Sequence, residues 1–348
     1  MINFYPGPSK IHPEYKKVVH DLLSNGLATY NHRSPEFMAG YKSTVAVLKQ
    51  KLDVPPTYEL FFLSSATECW ESICQTFLDV PTKFLYNGAF GKKWAEVGKS
   101  LMKNTRAIEY NENEGIDTAL NQISSCGLIA YVHNETSNGT VVRKPYQKLI
   151  KDKFPDAFIA VDATSSLGGS QIDYLSCDII FASVQKCLGA PAGLAVMIIS
   201  PKVQEWLEKI EFTKHYNDLN EIYLNHKKNQ TTHTPNVLGI LALGKMYEEL
   251  QDLNKYIEKV YTRADNFQHF IENNPSYHFL TDTSFRSKTV FCIQHSNVEK
   301  IIRQAKLQNI ILGKGYGKNA NSTFRVANFP AHSDADFEEL KQFLYACK

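Results

Sequence analysis

Six short apolar runs recur through the first part of this chain at spacings too long for hairpins. They are YELFFL (58–63), KFLYNG (83–88), LIAYVHN (128–134), FIAVDA (158–163), DIIFASV (178–184) and GLAVMIIS (193–200). Most are continuous rather than alternating, as strands covered on both faces must be. Helix-like segments separate several of them: ATECWESICQTFL after the first, FGKKWAEVGKSLMK after the second, RKPYQKLIKDKF before the fourth. Strand, helix, strand in that rhythm predicts an α/β fold with a mostly parallel sheet and crossover helices. Only the last two runs are joined by a short connection, which predicts an antiparallel pair inside the sheet.

Beyond about residue 205 the texture changes. A polar stretch, KHYNDLNEIYLNHKKNQTTHTP, leads into helical patterns over roughly 235–273. Short strands then return at TVFCIQH, IILGKGYG and STFRVANF, and SDADFEELKQFLYAC closes the chain with Ser333 as a helix N-cap. The expected organisation is an N-terminal arm (1–15) contributing to the small domain or the active site, a large domain (16–235), and a connecting helix with a small C-terminal α/β domain (236–348). A chain of 348 residues is long enough to bury cores of this size.

Thirty-eight basic and 36 acidic residues leave a net charge of +2, with no basic arm or acidic tail. Neither nucleic acid nor an anionic membrane is expected as a partner; a small molecule is. The start, MINFYPGPSKIHPEY, shows no signal-peptide pattern, and no apolar run reaches the length of a membrane span. Seven scattered cysteines without a CxxC pair argue against a structural metal site and a secreted disulfide framework. A cytoplasmic location is the expectation.

The chemistry-bearing residues fall at strand ends. Lys186, in FASVQKCLGAPAGL, follows an apolar strand and precedes a Gly/Pro-rich turn, at the sheet edge where open α/β folds bind ligands. Partial desolvation there would free its amine to attack a carbonyl, although a lone lysine at a strand end is ordinarily a solvated surface residue. Asp162 ends the strand FIAVD, where a buried carboxylate needs a cationic or hydrogen-bonding partner. The protonated pyridine nitrogen of pyridoxal 5'-phosphate (PLP) is such a partner.

Ser64-Ser65-Ala66-Thr67 opens a helix and could offer amides to a phosphate. Phe90, at another strand-to-helix junction, could stack on a ring, and Thr136 in HNETSNG could offer a hydroxyl. His133 reads as a satisfied strand-end histidine. Arg325, inside the apolar run STFRVANF, needs an anion: a substrate carboxylate or an internal salt bridge.

Together these pieces resemble the class V aminotransferases of PLP fold type I. The segments NFYPGP, NHRSPEF, SSAT, GAFGKKW, NETSNG, VDATSSLGG, SVQKCLGAPAGL, THTP and FRVANF occur in family order. The resemblance implies a seven-stranded, mostly parallel sheet in the large domain. It makes Lys186 the Schiff-base lysine and proton shuttle, Asp162 the partner of the pyridine nitrogen, Phe90 the stacking ring and Thr136 the partner of the phenolic oxygen. Ala66, Thr67 and Gln185 would hold the phosphate. His233 and Thr234 would complete that site from a second subunit, which implies a homodimer. Arg325 would bind the substrate α-carboxylate, and no metal is implied.

The implied reaction is a ping-pong transfer of an amino group between an amino acid and a 2-oxo acid. NFYPGPSKI and YELFFL resemble the phosphoserine aminotransferases, whose substrate-phosphate site His32 and Arg33 partly match. The later His-Arg pair of that group is replaced by Tyr316-Gly317, within Lys314-Gly315-Tyr316-Gly317-Lys318. That segment and QKCLGAPAGL resemble the serine– or alanine–glyoxylate aminotransferases instead. Phosphoserine with 2-oxoglutarate is the leading expectation, with Lys314 or Lys318 as substitutes for the missing pair. A cysteine desulfurase-like lyase, which would need Cys347 or Cys292 as a mobile thiol, and a non-catalytic binding protein are the remaining alternatives.

Overall fold

The computed structural model of the chain describes residues 1–210, 215–250 and 252–347. Seven strands form the main sheet: β1 (Glu59–Leu63), β2 (Thr82–Tyr86), β3 (Thr105–Glu109), β4 (Leu128–Val132), β5 (Phe158–Asp162), β6 (Ile179–Ser183) and β7 (Ala195–Ile199). Their spatial order is β1-β7-β6-β5-β4-β2-β3. β7 is antiparallel to both of its neighbours and the remaining pairs are parallel. The short connection after β6 thus makes the expected antiparallel pair, while the other six strands share one direction and one carboxyl edge.

Continuous apolar runs are explained by two covered faces. Leu60, Phe62, Ile180, Ala182, Val196 and Ile198 belong to one core; their neighbours Phe61, Leu63, Ile179, Phe181, Ala195 and Met197 belong to the other. β3 was not apparent as an apolar run because it is an edge strand in which Ile108 is the one buried residue.

The polar stretch after the sheet begins at Lys214, which lies outside the described residues. Within it, Asp218 caps a helix at Leu219–His226 by accepting from the amides of Asn220 and Glu221. The region 235–273 forms two helices, Val237–Glu249 and Leu253–Glu272. The first is buried against the main sheet's core.

A second sheet contains β8 (His278–Phe279), β9 (Val290–Gln294), β10 (Gly313–Lys314) and β11 (Thr323–Ala327), in the order β8-β9-β11-β10 and antiparallel throughout. The closing helix, Asp334–Ala346, starts with a capping box between Ser333 and Asp336.

The first residues join the two sheets' territories. Ile2–Asn3 pairs with Ile310–Ile311, and Phe4 is buried in a third core, formed with Phe291, Ile293, Phe324 and Val326 of the second sheet. Farther on, the amides of Ser9 and His12 donate to the carbonyls of Gln185 and Gly189. Between these anchors Gly7, at φ +143°, passes so close to Lys186 that a Cβ would lie 2.7 Å from its Cε. This position requires glycine.

Candidate active site

The carboxyl edge of β1, β2, β4, β5 and β6 surrounds a cavity of about 230 Å³. Each strand stops where its successor residues must turn, so short polar segments from distant parts of the chain meet there. Lys186 and Asp162 are both buried in its wall. The Lys186 amine donates to Thr136 Oγ1 at 3.1 Å and Ser165 Oγ at 2.9 Å, and lies 5.2 Å from the centre of the Phe90 ring. Burial and then the nearby Arg325 charge pull its pKa down to about 8, against the opposing pull of Asp162.

Asp162 accepts hydrogen bonds from the Trp70 indole N–H (2.9 Å) and the Thr164 amide (2.9 Å). Burial still raises its pKa above the ordinary carboxylate value, while those donors and Lys186 pull it back. A carboxylate held in this way is ready for a further cationic partner.

Arg325 enters from β11. Its Nε donates to the Lys314 carbonyl at 2.8 Å and Nη1 to the Thr136 carbonyl at 3.2 Å. Among the described residues it has no carboxylate within ion-pair distance. The internal salt bridge that would have explained a buried arginine is therefore not its role in the described structure. Burial depresses its pKa, so an arriving anion meets a desolvated guanidinium.

Phe90, Thr136, Gln185, Ala66 and Thr67 also line the cavity. Ser65 caps the Ala66–Thr76 helix by accepting from the Glu68 amide, and Ser183 Oγ accepts from the Ala66 amide at 2.8 Å. His133 does not line the cavity: it bonds to Ser166 and Gln147, and burial holds its imidazole down at about 4.

Four further residues gather elsewhere. Arg33 donates to Gln230 Oε1 at 2.7 Å, and His233 stacks on Tyr216 with ring centres 4.3 Å apart. His32 titrates below its usual range through burial and the charges of Arg33 and His233. His233 and Thr234 line a second cavity, distinct from that of Lys186, and His32 and Arg33 do not line the Lys186 cavity.

The residues not anticipated from sequence include Trp70, Ser165, Tyr5, Tyr316 and Glu135. Tyr316 lines the cavity, stacks on Phe90 at 5.2 Å and lies under Arg325 at 5.4 Å; its hydroxyl is bonded to Lys93. Lys318 is instead paired with Glu112 at 3.0 Å, and the side chains of Lys314 and Lys318 do not line the cavity. Lys318 is thus engaged by a carboxylate, and the Lys314 backbone carbonyl accepts from Arg325. Cys292 is buried in β9 and Cys347 follows the last helix; neither lines the cavity, so neither is placed as a mobile thiol.

The model of the family Aminotransferase class-V matches residues 3–316. A phosphoserine aminotransferase of Corynebacterium glutamicum is 26% identical over 349 residues, covering 96% of this chain and 91% of the relative. The crystal structure of a phosphoserine aminotransferase from Cytophaga hutchinsonii superposes with a TM-score of 0.93 at 31% identity, covering 99% of this chain and 98% of that one. An alanine–glyoxylate aminotransferase from Nostoc shares the fold, with a TM-score of 0.83 at 19% identity and coverage of 99% and 96%.

Proposed function

The chain belongs to the class V aminotransferases, PLP-dependent enzymes, and from that premise we propose that it transfers the amino group of phosphoserine to 2-oxoglutarate. The observation that carries the reading is a buried lysine and a buried aspartate on one cavity, with a desolvated arginine that lacks a carboxylate partner. The names of the Corynebacterium glutamicum and Cytophaga hutchinsonii relatives support the choice of substrate.

The cavity's polar residues fit PLP. Asp162 offers a carboxylate for the ring nitrogen, and two buried polar atoms of the lining, Gln185 Oε1 and Asn134 Nδ2, have no hydrogen-bond partner among the described residues. Lys186 would hold the cofactor, Phe90 would cover its ring, Thr136 would meet its phenolic oxygen, and Ala66, Thr67 and Gln185 would hold its phosphate. PLP supplies an electron sink for the bond broken at the substrate's α-carbon.

The protein's part is positioning and proton movement. The Arg325 fork would grip the α-carboxylate bidentately and so fix which α-bond faces Lys186. Lys186 Nζ, its pKa lowered to about 8 by burial, would take and return the α-proton. Tyr5, Gly7 and Tyr316 line the cavity and would narrow it around a bound substrate.

His32, Arg33, His233 and Thr234 would serve a second copy's cavity, giving a homodimer with shared sites. Their location away from the Lys186 cavity of their own chain supports this. Lys93, bonded to Tyr316, adds a cation near the cavity that would favour substrates with a second anion. Seven unbridged cysteines support a reducing, cytoplasmic setting. No helix among the described residues is long and apolar enough to cross a membrane.

The test is to mix the PLP-loaded protein separately with phosphoserine, serine and alanine and follow the cofactor's visible absorbance. Rapid conversion with phosphoserine, and slow or no conversion with serine and alanine, is expected. Conversion with serine or alanine but not phosphoserine would move the chain to the glyoxylate-using group.

A further inference from the structure

Glu135 is buried at 2% exposure, yet it has no lysine or arginine within ion-pair distance among the described residues. Its charge is met by backbone. Oε2 accepts from the amides of Phe90 (3.2 Å) and Gly91 (3.0 Å), and Oε1 accepts from the amide (3.0 Å) and hydroxyl (2.6 Å) of Ser137. Ser137 Oγ in turn accepts from the Ala89 amide at 2.9 Å. The first three amides of the helix Ala89–Leu101 are thus taken by one short segment.

That helix has no side-chain cap of its own, since its N-cap is Gly88. A Cβ on Gly88 would fall 2.3 Å from Glu135 Cγ, so the glycine makes room for the carboxylate. The positive end of the helix stabilises the charge that fills it.

The consequence reaches the cavity from two sides. Phe90, whose amide Glu135 holds, presents its ring to Lys186. Thr136, the next residue, accepts from Lys186 through its hydroxyl and from Arg325 through its carbonyl. We propose that Glu135 is a positioning residue for transamination, fastening the Phe90 helix to the Thr136 segment so that ring, lysine and arginine keep one mutual geometry. The proposal rests on the reading that the cofactor ring lies against Phe90.

The role predicts a loss in turnover rather than in substrate capture, because misplacing reacting groups costs rate. In the PLP-loaded enzyme Glu135→Gln keeps size but turns an amide N–H toward backbone N–H groups. Its kcat should fall by about tenfold to a hundredfold with KM changed by less than about threefold, and the induced visible circular dichroism of the bound cofactor should change. Ser137→Ala, a milder lesion, should shift both readouts in the same direction by less.

A folded Glu135→Gln enzyme with unchanged kcat per bound cofactor and an unchanged induced band would overturn the proposal. If that variant does not fold, unchanged kcat and band in Ser137→Ala would do so. Phe90→Leu separates the underlying reading: an induced band indifferent to Phe90 would show that the ring does not lie there, whatever Glu135 does.

Discussion

Two strand-to-helix junctions border the same cavity and are finished in opposite ways. At the first, β1 runs through Ser64 and Ser65 into the Ala66–Thr76 helix, whose Ala66 and Glu68 amides are met by the neutral hydroxyls of Ser183 and Ser65. At the second, β2 runs through Gly88 into the Ala89–Leu101 helix, and the buried carboxylate of Glu135 fills the N-terminus. Both helices offer positive ends. At the first, the first-turn carboxylate of Glu68 turns back to accept from Ser64 rather than from the helix's own leading amides, whereas at the second Glu135 takes those amides directly. A helix N-terminus whose leading amides the protein has already filled with a carboxylate is no longer an anion site, so in the proposed function the cofactor's phosphate would lie at the first junction and its ring beside the second.

The most severe way to break this contrast is to fill the first junction as the second is filled. Thr67→Asp places a carboxylate where the phosphate is expected, and apoprotein titration should show PLP affinity weakened by about a hundredfold or more. An unchanged affinity would mean that the phosphate lies elsewhere.

A pH series on the apoprotein titrates the amine between the two junctions. Burial lowers the Lys186 pKa to about 8, so below that pH the amine is protonated and cannot attack the cofactor's aldehyde. The PLP reconstitution rate should rise by about tenfold per pH unit up to that value and then level off. A rise continuing toward the ordinary lysine range would show that Lys186 is not desolvated.

Trp70→Phe removes the donor that the first helix sends to Asp162, and kcat should drop by about tenfold with the fold intact. Equal rates would show that Thr164 suffices. Ser183→Ala gives the smallest effect. It removes the acceptor of the Ala66 amide, which a bound phosphate can replace, so PLP affinity should change by less than about threefold. A large loss would mean that the hydroxyl itself contacts the cofactor.

The contrast also shows where the sequence stopped being informative. The two junctions look alike in the chain, each a small polar turn between an apolar run and an amphipathic helix. What distinguishes them is Glu135, which lies 45 residues beyond Phe90 and is brought back by β4. Local patterns revealed β1, β2 and β4–β7 because a strand buried on both faces has to be apolar along its length. β3 escaped because an edge strand has no such need. Lys186, Asp162 and Arg325 were legible because a charge beside an apolar run requires an explanation. Trp70 and Tyr316 were not, since an aromatic residue in a helix or loop reads first as packing. His32, Arg33, His233 and Thr234 matched a motif, but one chain does not bring them to the Lys186 cavity.

The central claim is that Lys186 is the residue that bonds the cofactor. Borohydride reduction of the PLP-loaded protein, followed by proteolysis and peptide mass spectrometry, tests it directly. The account predicts one fixed pyridoxyl group, on the peptide that contains Val184-Gln185-Lys186. A label fixed on Lys93, Lys314 or another lysine with Lys186 unmodified would contradict it.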